Sequence, residues 1–257
     1  MGRQGRDSRP AVEDLEGGED LLAWCVAAKK RTTRWRSSSP PVAFPSPAAP
    51  FRRIPAAPQR GVAVTATDPD GAMLTELRKH VPSHVRTVQA AFEDLRPSKR
   101  YGLVYAAAAL HWTNPEDRWS RMASLVEPGG VFASFGGPIE LADPAVAQTV
   151  RAARSPFLAR DDVPSPDGTP SEAEMQWPGT ELQRSEWFTE VQQTMIERRF
   201  TLTADDYIGH LSAVSAYLVL PDAEREQVFS QIMRVLPETV EINADITVHL
   251  ARRHREP

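Results

Sequence analysis

Between Gly61 and Phe135 the apolar positions fall into short dense runs separated by longer stretches of helical spacing. Val62 to Thr67 is β-rich and ends in Asp68-Pro69-Asp70-Gly71. Pro69 suits the first turn of a helix, and Asp68 or Asp70 can cap its free amides. Met73, Leu74 and Leu77 then recur at helical spacing. His84 to Ala90 predicts a second strand, and Tyr101 to Ala107 a third, rich in small residues. Pro115 to Val126 predicts a helix introduced by Asn114, with Trp119, Met122, Ala123 and Val126 on one side. Glu127-Pro128-Gly129-Gly130 is a turn, and Val131 to Phe135 a further strand. This alternation implies βαβ units, hence an α/β fold with a Rossmann-like, mostly parallel sheet.

Downstream, Asp143 to Ala153 reads as helix, and the polar, Pro-containing stretch from Ser155 to Gly179 as an insertion or lid. Trp187 to Phe200 is extended. Thr203 with Asp206 makes a capping-box-like start for a helix from Ala204 to about Leu218. A further helix spans Asp222 to Val235, and Val240 to Leu250 alternates as a closing strand. Upstream the pattern fails. Asp14 to Lys30 predicts one short helix, with Leu15, Leu22 and Val26 near one face. Seven prolines between Pro40 and Pro58 exclude a continuous helix or central strand there. The expected organisation is an irregular, disordered leader over 1–60 and one domain over 61–257, within which 155–220 is the insert and substrate side.

Charge sharpens that boundary. The 257 residues carry a net −4, which argues against a nucleic-acid footprint over the whole molecule. Residues 1–60 hold 11 Lys/Arg against 6 Asp/Glu, a net of +5, and the remainder 19 against 28, a net of −9. A basic arm for an acidic partner is the sharper reading of the leader; a solvated, irregular segment is the plainer one. Cys25 stands alone, so an intramolecular disulfide and a cysteine-based zinc cage are both excluded. The apolar run Leu21 to Ala28 is too short for a bilayer, and the acids before it spoil a signal peptide. A soluble cytoplasmic protein without a membrane partner is expected.

Three places could carry chemistry. Ligands of doubly wound sheets sit beyond the carboxyl ends of the strands, and Asp68 ends one; its carboxylate could accept two ribose hydroxyls, or merely cap the helix that follows. After the next strand comes Phe92-Glu93-Asp94, where a carboxylate could accept an exocyclic amine while Phe92 packs on the ring. Solvated loop acids are the bland alternative. The third is Ala106-Ala107-Ala108-Ala109-Leu110-His111-Trp112, whose small residues admit a ligand close to the backbone. His111 could serve as general base or hydrogen-bond donor, or as a structural partner of Trp112.

Taken together, the stretch Val62 to Phe135 resembles the class I S-adenosylmethionine-dependent methyltransferases of the small-molecule type. The resemblance rests on Asp68-Pro69 with Met73-Leu74, on Phe92-Glu93-Asp94, on Tyr101-Gly102-Leu103-Val104 with Leu110-His111-Trp112, and on Leu125 to Val131. Tyr207, Ser212, Ser215-Ala216-Tyr217 and Leu220-Pro221 are similar to that group's substrate-side helices. The resemblance implies S-adenosylmethionine as cofactor and a small organic molecule as methyl acceptor. Asp68 would bind the ribose, Phe92 and Glu93 the adenine, and Ala106 and Ala107 the cofactor wall. His111 would act catalytically, Trp112, Tyr207 and Tyr217 would stand on the substrate side, and no metal is implied.

Two departures stand out. Gly102 replaces an Asp usual in the family, and the family's first strand and G-x-G-x-G loop are not found before Gly61, where Pro55-Ala56-Ala57-Pro58 stands. The expected sheet therefore lacks or substitutes its first strand, and the leader reads as a frame error, a misassigned start or a degenerated segment. A non-catalytic interaction protein on the same sheet is the chief alternative. An NAD-dependent oxidoreductase is weaker, since it needs the same glycine loop and no Tyr-x-x-x-Lys pair is present.

Overall fold

The computed structural model describes residues 21–25, 62–96, 100–160, 165–170 and 172–255. Its larger sheet has seven strands: β1 (Leu21–Cys25), β2 (Val64–Asp68), β3 (Arg86–Gln89), β4 (Tyr101–Ala107), β5 (Val126–Gly136), β7 (Phe188–Ile196) and β10 (Ile246–Arg253). They lie in the order β3-β2-β1-β4-β5-β10-β7. The first five are parallel, and β10 is antiparallel to both β5 and β7. This is the expected Rossmann-like α/β architecture. Apolar runs such as β2 and most of β4 are buried because helices cover both faces of such a sheet.

The leader supplies the central strand, which decides one expectation and corrects another. Leu21 stands opposite Val64 on one side and Leu103 on the other, and Trp24 opposite Thr67 and Ala106. The first strand is therefore substituted from within 1–60 rather than missing, and the helix expected over Asp14 to Lys30 gives way to strand at 21–25. A short apolar run bounded by charged residues suits a buried parallel strand as well as a helix; hydrogen-bonded ladders along both edges decide it. The proline-dense stretch lies outside the described residues.

Helices α1 (Gly71–Arg78), α2 (Arg118–Leu125) and α4 (Gly179–Arg184) accompany this sheet. Asp70, not Asp68, caps α1: its side chain accepts from the Ala72 amide, and Pro69 precedes the cap. Leu74 and Leu77 are buried, as their spacing requires. α2 starts three residues later than expected, after a turn over 115–117. Glu127 to Gly130 loops out within β5, where the pairing with β4 jumps from Tyr101–Val126 to Leu103–Val131.

A second layer of structure rises from one edge of the sheet. Strands β6 (Glu140–Leu141), β8 (Arg199–Thr203) and β9 (Thr239–Asn243) form a small antiparallel sheet. Helices α3 (Pro144–Arg154), α5 (Ala204–Leu211), α6 (Ser215–Leu218) and α7 (Asp222–Val235) pack with it around their own core of Val150, Leu211, Val228, Ile232 and Ile242. The expected single closing strand is thus two, β9 and β10. They are separated at Ala244-Asp245, where the chain passes between sheets. The Asp245 carboxylate accepts the Arg198 amide at 2.8 Å. Gly137 faces this crossing, where a Cβ would lie 2.0 Å from the Asp245 carbonyl oxygen, so only glycine fits. The helix expected from Ala204 to Leu218 breaks after Leu211, where the Ser212 hydroxyl bonds back to the Gly209 carbonyl and competes with the next turn.

Candidate functional site

Parallel strands align their carboxyl ends, and here the register brings Cys25, Asp68, Gln89, Ala107 and Phe135 to one edge. The strand order reverses between β1 and β4, the place where open α/β sheets bind ligands. β5 and β7 end at this edge and lead into the small sheet, so the second layer stands beyond the same strand tips.

Asp68 is 1% exposed at the end of β2, and its Oδ1 accepts the Asp70 amide at 2.7 Å. The Gln89 side chain lies beside it, donating to the Pro69 carbonyl. A Cβ at Gly71 would meet Gln89 Oε1 at 3.0 Å, so glycine opens this corner. Glu93 belongs to the 3-10 turn Phe92–Asp94 after β3 and is half-buried. Its Oε1 accepts the Asn114 amide at 3.0 Å, and its carbonyl accepts from Arg121 at 2.9 Å. The turn after β3 is thereby tied to the chain after β4.

His111 and Trp112 lie on a second 3-10 turn, Leu110–Trp112, both exposed, with ring centroids 5.0 Å apart. Desolvation by the surrounding protein, then the Arg118 cation, lower the His111 pKa below the usual imidazole value. The ring is therefore neutral at pH 7 and able to accept a proton. Between β4 and this turn, Ala108 takes φ 48°, a conformation unfavourable for any residue with a Cβ.

The remaining sequence candidates sit further inside. Phe92 is 1% exposed in the core with Leu110 and Phe132. Ala106 and Ala107 are buried on opposite faces of the sheet, in different core clusters. Tyr207 and Tyr217 belong to the core of the second layer, where burial pushes both phenols up to about 12. The strand-tip edge thus gathers Asp68, Glu93, His111 and Trp112, whereas Phe92, Tyr207 and Tyr217 point into packed interiors.

Sequence reasoning missed Arg118. It is 2% exposed, with its Nε donating to Thr113 Oγ1 at 2.6 Å and its NH1 to Glu181 Oε2 at 2.8 Å. Nothing in Glu116-Asp117-Arg118-Trp119 distinguishes it from a surface arginine, because Glu181 lies 63 positions away. A cavity of about 460 Å³ between α2 and the end of α4, lined by Trp119, Arg184 and Trp187, contains none of the sequence candidates. Among the described residues no group of three or more His, Cys, Asp or Glu is placed to hold a metal, and no helix is long and apolar enough to cross a membrane.

A parallel sheet reversing at β1/β4, with an acid at the β2 tip, is the arrangement of an open, Rossmann-like α/β domain. Residues 53–130, less than a third of the chain, match the family model described as a methyltransferase domain. The resemblance to the S-adenosylmethionine-dependent methyltransferases holds over that segment. Among solved structures, the chain is similar to a type II methyltransferase from Anaeromyxobacter dehalogenans (21% identity, 91% of this chain and 89% of that one, TM-score 0.47). It is also similar to a methyltransferase from Bacillus halodurans (14%, 94% and 95%, 0.48). A third is the N-methyltransferase NodS of Bradyrhizobium japonicum in complex with S-adenosyl-L-homocysteine (11%, 92% and 79%, 0.40). At such scores the overlap decides nothing about activity. No curated protein matches the chain.

Proposed function

We propose that this chain transfers a methyl group from S-adenosylmethionine to a small organic acceptor in the cytoplasm. The observation that carries the reading is Asp68, a buried carboxylate at the β2 tip beside the reversal of strand order. Its chemistry fits the hydroxyls of a ribose, and Glu93, on the neighbouring turn, fits an exocyclic amine. S-adenosylmethionine, when bound, supplies an electrophilic methyl carbon. The chain's own contribution is to hold the acceptor in line. His111, kept neutral, takes the acceptor's proton on an imidazole nitrogen where the acceptor needs one removed. Trp112, 46% exposed beside it, offers an apolar wall.

The fit is incomplete on one side. No glycine stands between Gly18 and Gly61, so the central strand is followed by Val26-Ala27-Ala28-Lys29-Lys30-Arg31 instead of a glycine-rich turn. That supports weakened cofactor binding, and it is the observation favouring a non-catalytic interaction protein on the same fold. Calorimetric titration with S-adenosylhomocysteine separates the two. The enzyme reading predicts saturable binding, weakened about ten-fold or more in both Asp68→Ala and Asp68→Asn through loss of charge-assisted hydrogen bonds. A folded wild-type chain that gives no heat overturns it, and heat with NAD instead supports the oxidoreductase.

A further inference from the structure

Buried Arg118 and half-buried Glu181 form a clamp under the turn that carries His111 and Trp112. The Thr113 hydroxyl donates to the Leu110 carbonyl at 2.7 Å and accepts from Arg118 Nε, while Arg118 NH2 donates to the Thr113 carbonyl at 3.2 Å. The turn therefore closes on the guanidinium through two of its nitrogens. The third nitrogen reaches Glu181 Oε2, which also accepts from Trp119 Nε1 at 2.9 Å. Trp177 and Trp119 lie against the guanidinium, 5.3 and 5.9 Å from ring centroid to cation. Glu181 and Trp177 stand where the 155–179 insert meets α4.

A planar, always-charged group with a fixed fork of donors suits this duty, which a lysine could not perform. A buried cation costs heavily unless partnered, and here one acid, one hydroxyl and one carbonyl are committed to it. We infer that Arg118 and Glu181 are positioning residues for the methyl-transfer centre, welding the His111–Trp112 turn to the far end of the insert. The inference rests on the proposed activity for its purpose, but its geometry can be tested separately.

The test is amide hydrogen exchange on the full chain, for wild type, Glu181→Ala, Glu181→Gln and Arg118→Lys, with S-adenosylhomocysteine calorimetry on each. The amides of Trp112 and Thr113, bonded to Ala109 and Leu110, should exchange about ten-fold faster or more in Glu181→Ala and Arg118→Lys, with β2 and β4 unchanged. Glu181→Gln keeps an acceptor oxygen but removes the counter-charge of the buried cation, so it should loosen the turn, though less than Glu181→Ala. S-adenosylhomocysteine affinity should fall in step with lost protection, because the Asn114 amide that follows the turn holds the Glu93 carboxylate. Unchanged turn amides in both clamp variants, or equal loosening of turn and sheet, overturn the inference, as does loosened protection with undiminished affinity. A wild type that binds no S-adenosylhomocysteine sinks the proposed activity instead, leaving the exchange result to judge the clamp.

Discussion

At the scale of single residues, the strand-tip edge is built from small deviations that matter. Ala108 holds φ 48° between β4 and the His111 turn, with its amide bonded to the Phe135 carbonyl at 2.9 Å. A methyl side chain in that region is disfavoured, and glycine is not. Ala108→Gly should therefore raise stability by about 0.5–1 kcal/mol in urea unfolding, net of glycine's freer unfolded state. A loss of stability would mean that neighbouring packing, not backbone geometry, governs the site.

Among the elements, the clearest local rule is the start of α5. Thr203 Oγ1 accepts the Asp206 amide at 3.1 Å, so Thr203→Ala should cost about 1 kcal/mol, read from the same unfolding curves. That cap was visible in the sequence because its partners are three residues apart, as were the limits of β4 and α7. The placement of Asp68, Glu93 and His111 on one edge was legible for a related reason: Asp68 ends a strand, the other two lie on the turns that follow strands, and parallel strands collect their ends on one edge. What escaped was long-range. The pattern over Asp14 to Lys30 predicts helix where β1 forms, because the pairing partners of β1 begin 43 positions later, at Val64. Arg118 looked superficial because its acid lies on another element. Phe92, Tyr207 and Tyr217 were legible as large side chains, but not which way packing would turn them.

For the whole molecule, pH and the central strand give two further expectations. His111, His210 and His249 all have pKa values lowered, chiefly by desolvation, so the unfolded chain binds protons more readily. Stability is then full above about pH 6.5 and declines as pH falls from there through the folded values. Tyr207 and Tyr217 act in the opposite direction: raised to about 12, they remain protonated in the fold after the unfolded chain ionises. Stability should fall between about pH 10 and 12. Thermal midpoints across pH check both flanks, and Tyr207→Phe with Tyr217→Phe should flatten the alkaline one. Separately, Ala23→Pro removes a ladder donor from β1, which is bonded along both edges, and should cost about 3 kcal/mol or more. Near-wild-type stability in that variant would show that the sheet does not depend on its leader strand.

The place of β1 also sets an order of events at synthesis. Leu21 leaves the ribosome before its neighbours Val64 and Leu103, which follow 43 and 82 residues later. Until then the middle of the future sheet is an unpaired apolar ribbon. Closing such spans is slow, and the nascent chain is open to misassociation throughout that interval. Production of this protein should accordingly depend on translation speed and chaperone supply more than its finished stability suggests.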